Sequence, residues 1–122
     1  MTISEVSKKY GLSPDTLRYY ERIGMLPPVH RAANGLRDYD EIDCKWVELV
    51  KCMRSADLPI EAIIEYVRLF QQGEQTTPAR YELLLSQKQQ LLQKREQIDR
   101  TIERLEYKIE RYEKQLNQGE LC

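Results

Sequence analysis

Between Ala79 and Gln118 the chain runs for 40 residues without a glycine or a proline. Nothing in that stretch offers a turn, so it reads as one helix, which at about 1.5 Å per residue makes a rod about 60 Å long. With Leu84 at heptad position d, the d positions hold Leu84, Leu91, Ile98, Leu105 and Tyr112. The a positions then hold Tyr81, Lys88, Arg95, Ile102, Ile109 and Leu116. Lys88 and Arg95 are the only breaks in this apolar seam. A single helix cannot bury such a seam on a small globule, and a second copy of the same chain is the simplest partner, so a coiled-coil homodimer is expected. Leu85 and Leu92 at e widen the stripe near its start. The heptads leave the direction of the partner helix open.

The residues before this rod read as a small helical domain. Thr2 and Glu5 form a capping-box pattern, followed by Ile3, Val6 and Tyr10 at helical spacing, and Gly11 ends the helix. Ser13 suits an N-cap and Pro14 the first helical position, while Leu12 and Leu17 occupy the two sites of a hydrophobic staple. Two helices joined by a short turn at Gly11 give a helix-turn-helix layout. From Met25 to Asp38 the helical period vanishes. Pro27-Pro28 enforces extended backbone and Asn34-Gly35 signals a hairpin, so Leu26–His30 and Leu36–Tyr39 are the expected arms of a small ribbon, or wing. Asp40 caps a third helix with the stripe Ile42, Trp46, Leu49, Val50 and Met53. Pro59 opens a fourth, with Ile60, Ile63, Ile64, Val67 and Phe70. The fold class is therefore mainly α: a winged helix-turn-helix domain with its helix pair over 1–72, a linker over 73–78, a coiled-coil dimerisation helix over 79–118 and a tail over 119–122.

The net charge is −1, and residues 1–56 hold nine Lys/Arg against eight Asp/Glu, so total charge does not announce a polyanionic partner. The positions of the charges say more. Around the second helix, Asp15, Arg18, Tyr19 and Arg22 fall at i, i+3, i+4 and i+7 and share one face, with Leu17 and Tyr20 turned toward the first helix. Two guanidinium forks beside a phenol suit phosphate oxygens, and Thr16 lies near the helix N-terminus, where a major groove is read. The wing adds His30, Arg31, Asn34 and Arg37 around one turn. Double-stranded DNA is the partner this pattern fits.

Residues 2–28, TISEVSKKYGLSPDTLRYYERIGMLPP, resemble the N-terminus of the MerR family of transcription regulators. The resemblance continues through RAANGLRDYDEID to about Phe70, and the rod stands where that family has its dimerisation helix. Leu36 departs from the pattern, which has an aromatic residue there. The resemblance implies an antiparallel coiled-coil dimer on a pseudo-palindromic operator in an overlong promoter spacer, which the induced protein bends and untwists so that RNA polymerase can engage both promoter elements. It also implies DNA contacts, mostly to phosphates, from Thr16, Arg18, Tyr19, Arg31, Asn34, Arg37 and Tyr39.

Only NQGELC follows the rod, so no separate drug-binding domain is expected. The metal-sensing members that the chain resembles have a Cys at the start of the long helix, where this chain has Thr77-Pro78-Ala79, so no metal site is assigned. Of the three cysteines, Cys44 is placed to pack on Tyr39, and Cys122 reads as an incidental exposed thiol. Cys52 flanks the third helix's stripe beside Lys51 and Arg54, whose charges favour the nucleophilic thiolate, although a small buried hydrophobe is the competing reading. KCMRSADLPIEAIIEYV resembles the NmlR/AdhR subgroup of the same family, which carries a lone cysteine there and responds to aldehydes, other electrophiles or nitrosative stress. That resemblance makes Cys52 the candidate sensor.

An enzyme is not expected, since His30 has no nucleophile pattern beside it and there is no phosphate loop or catalytic carboxylate pair. No cofactor is assigned. With no apolar run long enough to span a bilayer and no secretory start, the cytoplasm is the expected location and no membrane the expected surface. Two other regulators fit less well: a metal-responsive member of the same family, and an architectural DNA binder without an effector. A coiled-coil adaptor that binds protein through the Arg/Tyr face belongs to a different class.

Overall fold

The computed structural model describes residues 1–121, with side chains as far as residue 118. Five α-helices run in the order α1 (Ile3–Tyr10), α2 (Pro14–Ile23), α3 (Glu41–Ser55), α4 (Ile60–Gln71) and α5 (Thr77–Leu121), with a 3-10 turn at Glu74–Thr76 before the last. There is no β-strand among the described residues. The chain divides into two compact units, one covering Met1–Leu85 and the other beginning at Ser86.

Local chemistry sets the ends of the first two helices. Thr2 accepts from the Glu5 amide while Glu5 accepts from the Thr2 amide, which closes the expected capping box. Ser13 caps α2 through the Thr16 amide at 3.1 Å. At the far end of α2, Met25 N donates to Tyr20 O and Gly24 N to Glu21 O. That Schellman pattern needs the left-handed backbone that Gly24 adopts, φ 89°. It swings Met25 and Leu26 into the core, where Val6, Leu17, Val47, Val50, Ile63 and Val67 are also buried.

The ribbon is smaller than its sequence suggests. One antiparallel bridge, Arg31 with Arg37, takes the place of two strands. Ala32 N donates to Leu36 O, Asp38 N to His30 O, and Gly35 N to Ala32 O, giving a three-residue turn closed by Gly35 at φ 83°. The ladder stops there because the other arm has no donors to spare. Pro27 and Pro28 lack N–H groups, and the amides of Val29 and His30 are taken by the carboxylates of Glu21 and Asp43.

In α3 the buried face is Asp43, Cys44, Val47 and Val50. This displaces the expected stripe: Ile42 is 63% exposed and Leu49 lies at the surface. Periodicity treats Asp43 as polar and turns it outward. Asp43 instead goes inward, its Oδ2 accepting from the amides of His30 and Asp40 and from the His30 ring, and the helix turns with it. Trp46, on the flank, packs against α4 through Tyr66 and Phe70, with ring centroids 5.8 and 5.0 Å away. Among the described residues, Asp57 alone of the non-glycines takes a positive φ, 59°, in the turn from α3 to α4.

On α5 the side chains of Tyr81, Leu84, Ile98, Ile102, Leu105, Ile109, Tyr112 and Leu116 are exposed, and Leu91 is half-buried. The flanks carry i,i+4 ion pairs, Glu96–Arg100 and Glu110–Lys114, both at 3.6 Å. Among the described residues, no helix is long and apolar enough to cross a membrane.

Leu17 sits at the centre of the helix-turn-helix core with no solvent exposure. Leu17→Ala should cost about 2–5 kcal/mol, read as a lowered urea midpoint at unchanged slope. A shift worth less than about 0.5 kcal/mol would show that the core does not depend on this side chain.

Candidate nucleic-acid interface

The exposed face of α2 forms as its spacing predicts. Asp15, Arg18, Tyr19 and Arg22 are at the surface, while Leu17 is buried and Tyr20 half-buried. The residues on this face touch one another. Arg18 Nη1 donates to Asp15 Oδ1 at 3.0 Å, and the Arg22 guanidinium lies 5.3 Å from the centre of the Tyr19 ring. The wing folds against the same helix, so that Arg18, Tyr19 and Arg22 line one open cleft with Arg31 and Arg37. Five of the eight residues singled out for a DNA contact are thus brought together.

The other three stand apart from the cleft. Thr16 is half-buried, and its hydroxyl accepts from Ser13 Oγ at 2.8 Å, which leaves its lone pairs partly free. Asn34 is exposed at the wing tip, where its Oδ1 accepts from the Leu36 amide at 3.1 Å and shapes the turn. Tyr39 is 1% exposed, and its hydroxyl has no hydrogen-bond partner among the described residues. Its ring is a core element, and burial pushes its phenol above the usual range. A direct side-chain contact from Tyr39 to a phosphate would require the ring to leave the core.

Glu21 holds the cleft together, and sequence reading did not single it out. Its Oε1 accepts from Arg37 Nε at 2.7 Å and lies 3.9 Å from Arg31 Nη2, while its Oε2 accepts from the Val29 amide at 2.9 Å. The available signal was its position four residues after Leu17, on the buried side of α2.

His30 also differs from its expected role as a free donor in the wing. Its Nδ1 lies 2.9 Å from Asp40 Oδ2 and 3.0 Å from Asp43 Oδ2, so this nitrogen carries the proton. These contacts raise the imidazole above its ordinary value, the Asp43 hydrogen bond first and the charges of Asp40 and Asp43 next. The Asp40 carboxyl is held below its usual range, chiefly by the Asp43 amide it caps. The three side chains are of metal-ligating type, with ligand atoms within 4.8 Å of one another. However, Asp43 Oδ2 already accepts from the amides of His30 and Asp40, and the His30 Nδ1–H faces both carboxylates.

Cys44 is buried, with its Sγ 3.9 Å from Met1 Sδ, as a structural thiol would be. Cys52 is exposed. The cations beside it in sequence are directed elsewhere: Arg54 Nη1 donates to Leu58 O at 2.7 Å, and the Lys51 ammonium lies toward Gly11. Cys122 lies outside the described residues.

Because the folded pKa of His30 is raised, its tie contributes stability below the ordinary value near 6.5 and loses it as pH rises through the folded value. Urea stability of the wild type should therefore decline through that window more steeply than that of His30→Ala. An NMR titration should place the imidazole above 6.5; a midpoint at or below 6.5 contradicts the tie.

Residues 1–69 match the family described as "MerR HTH family regulatory protein", and residues 45–107 the one described as "MerR, DNA binding". The chain is similar to the HTH-type transcriptional regulator AdhR of Bacillus subtilis, 54% identical over 91 residues, which are 75% of this chain and 65% of AdhR. It thus spans just under two thirds of that relative's length. Among solved structures, it is similar to one described as a MerR family transcriptional regulator from Listeria monocytogenes, with TM-score 0.90 and 43% identity over 93% of this chain and 86% of that one. It is also similar to HiNmlR, described as a MerR family regulator lacking the sensor domain and bound to promoter DNA, with TM-score 0.85 and 28% identity over 93% and 90% of the two chains. These relatives are regulators rather than enzymes, and they fit the NmlR/AdhR subgroup. The helix-turn-helix, its reduced wing and the matched families together establish that the chain belongs to the MerR family of helix-turn-helix regulatory proteins.

Proposed function

We propose that the chain is a promoter-binding transcription regulator that works as a homodimer. The single observation that carries this reading is the cleft in which Arg18, Arg22, Arg31 and Arg37 gather on one face of a chain whose net charge is −1. Clustered guanidinium forks supply charge-assisted bonds to phosphates, and Tyr19 adds a hydroxyl between them. In this reading residues 1–72 are the DNA-binding head and residues 79–118, within α5, the dimerisation helix; the expected linker 73–78 carries the 3-10 turn and the first residues of α5. Two copies zipped through Leu84, Leu91, Ile98, Ile102, Leu105, Ile109, Tyr112 and Leu116 hold two heads at a fixed spacing, suited to a pseudo-palindromic operator. Bending and untwisting the spacer between promoter elements lets RNA polymerase engage both, an indirect coupling through DNA shape.

The signal in this reading is an aldehyde or another electrophile, and Cys52 is its target. Its exposure on α3 and the likeness to AdhR support that assignment. With an aldehyde, Cys52 sulfur bonds to the carbonyl carbon and the thiol proton passes to the oxygen, giving a hemithioacetal without any redox change. The adduct lies three residues before the end of α3, next to the turn that the Arg54–Leu58 bond and the left-handed Asp57 define. Pressure there changes the packing of α3 on α4 and so shifts the balance between two postures of the heads.

Footprinting on the chain's own upstream region should show a protected two-fold site. Arg18→Ala should weaken binding and lower the salt slope by about one. Leu105→Arg should convert a sedimenting dimer to monomers and abolish the protected site. Undiminished affinity and slope in Arg18→Ala would remove that phosphate contact. Promoter output should respond to added formaldehyde in the wild type and lose that response in both Cys52→Ser and Cys52→Ala. A response that survives in both variants excludes this thiol as the trigger.

A further inference from the structure

A carboxylate on a surface that meets a polyanion works against binding, yet Glu21 stands among the cleft's arginines. It is 13% exposed at the side chain, withdrawn beneath Arg37 at 21% and Arg31 at 47%. Its two oxygens do different things. Oε2 takes the Val29 amide, which fixes the start of the wing, and Oε1 takes Arg37 Nε, which fixes its return. Both arms of the wing are thereby fastened to α2 through one side chain. The wing needs that fastening, because its own backbone supplies a single bridge. Binding through Nε also leaves the two terminal amino groups of Arg37 without a hydrogen bond among the described residues, with the guanidinium plane held in one orientation. Arg31 Nη1 reaches back to Gly35 O at 3.4 Å and Nη2 sits 3.9 Å from Glu21, a looser hold that permits exchange to another anion.

We propose that Glu21 is the positioning residue of the DNA grip, fastening the wing to α2 and aiming Arg37 at a phosphate. This rests on the promoter-binding reading above. It makes a prediction opposite in sign to simple charge counting. Removing a negative charge from a DNA-facing cleft should tighten binding to any duplex, whereas removing a positioning group should loosen binding to the duplex whose backbone the wing must match.

The test uses the full chain as wild type, Glu21→Gln, Arg37→Gln and the double variant. The probes are the footprinted promoter duplex and a scrambled duplex of equal length. The substituted side chain in Glu21→Gln keeps an oxygen for the Val29 amide but cannot pair with a guanidinium as a carboxylate does. Promoter affinity should fall about tenfold in Glu21→Gln, with affinity for the scrambled duplex unchanged or higher. In the Arg37→Gln background the Glu21 change should add nothing, since its effect runs through Arg37. In the free protein, hydrogen exchange at the Ala32 and Asp38 amides should quicken in Glu21→Gln, reporting a loosened wing. Equal tightening on both duplexes, an undiminished effect in the Arg37→Gln background, or unchanged amide exchange each overturn the proposal. If the wild type binds neither duplex, the promoter reading fails and the grip fails with it, while the exchange data still decide whether Glu21 holds the wing.

Discussion

The wing depends on a buried carboxylate. Asp43 is 6% exposed, and an unpaired charge at that depth would be costly. Three groups share protons with its Oδ2: the amides of Asp40 and His30, and the His30 ring. It also sits in the first turn of α3, where the helix dipole favours an anion. One group therefore caps a helix, anchors the base of the wing and sets which side of α3 faces inward.

Glu21 plays the matching part on α2. Between them the two carboxylates occupy the amides of Val29 and His30, consecutive residues on the wing's first arm. A ribbon with enough ladder bonds would hold its own shape. This one trades ladder bonds for side-chain ties to two different helices, so its posture is a property of how α2 and α3 pack. Two hydrogen-bonded links, of 2.9 and 3.3 Å, tie the wing to that packing. The arginines follow, because Arg37 is held by one of those links.

Much of this was legible in the residues. Thr2 and Glu5, Ser13 and Pro14, and Gly11 are local signals, and each acts within one helical turn, so those helix ends form where their chemistry says. The shared face of Asp15, Arg18, Tyr19 and Arg22 follows from helical geometry alone. The reading failed where polar groups satisfy one another across the fold. Asp43 inside, Ile42 outside and His30 turned to carboxylates all depend on partners far away in sequence, while Tyr39 enters the core through its ring, its hydroxyl without a hydrogen-bond partner among the described residues. Spacing has no means of showing that a polar side chain has found all its bonds. Glu21 escaped notice for the same reason: an acid on the inner side of α2 looks like an exception to amphipathic pattern until its two partners are in view.

The amino-acid order by itself determined the helices, the ends of α1 and α2, the hairpin turn and the unbroken run of α5, because capping, φ preference and the absence of breakers act between near neighbours, although α5 starts at Thr77 inside the expected linker and continues to Leu121 past the expected end at 118. The tertiary structure decided how far the wing pairs, which face of α3 is buried and which arginines share a cleft. Those outcomes turn on competition for a few backbone amides and on the burial of charge, and both are settled only when distant segments meet.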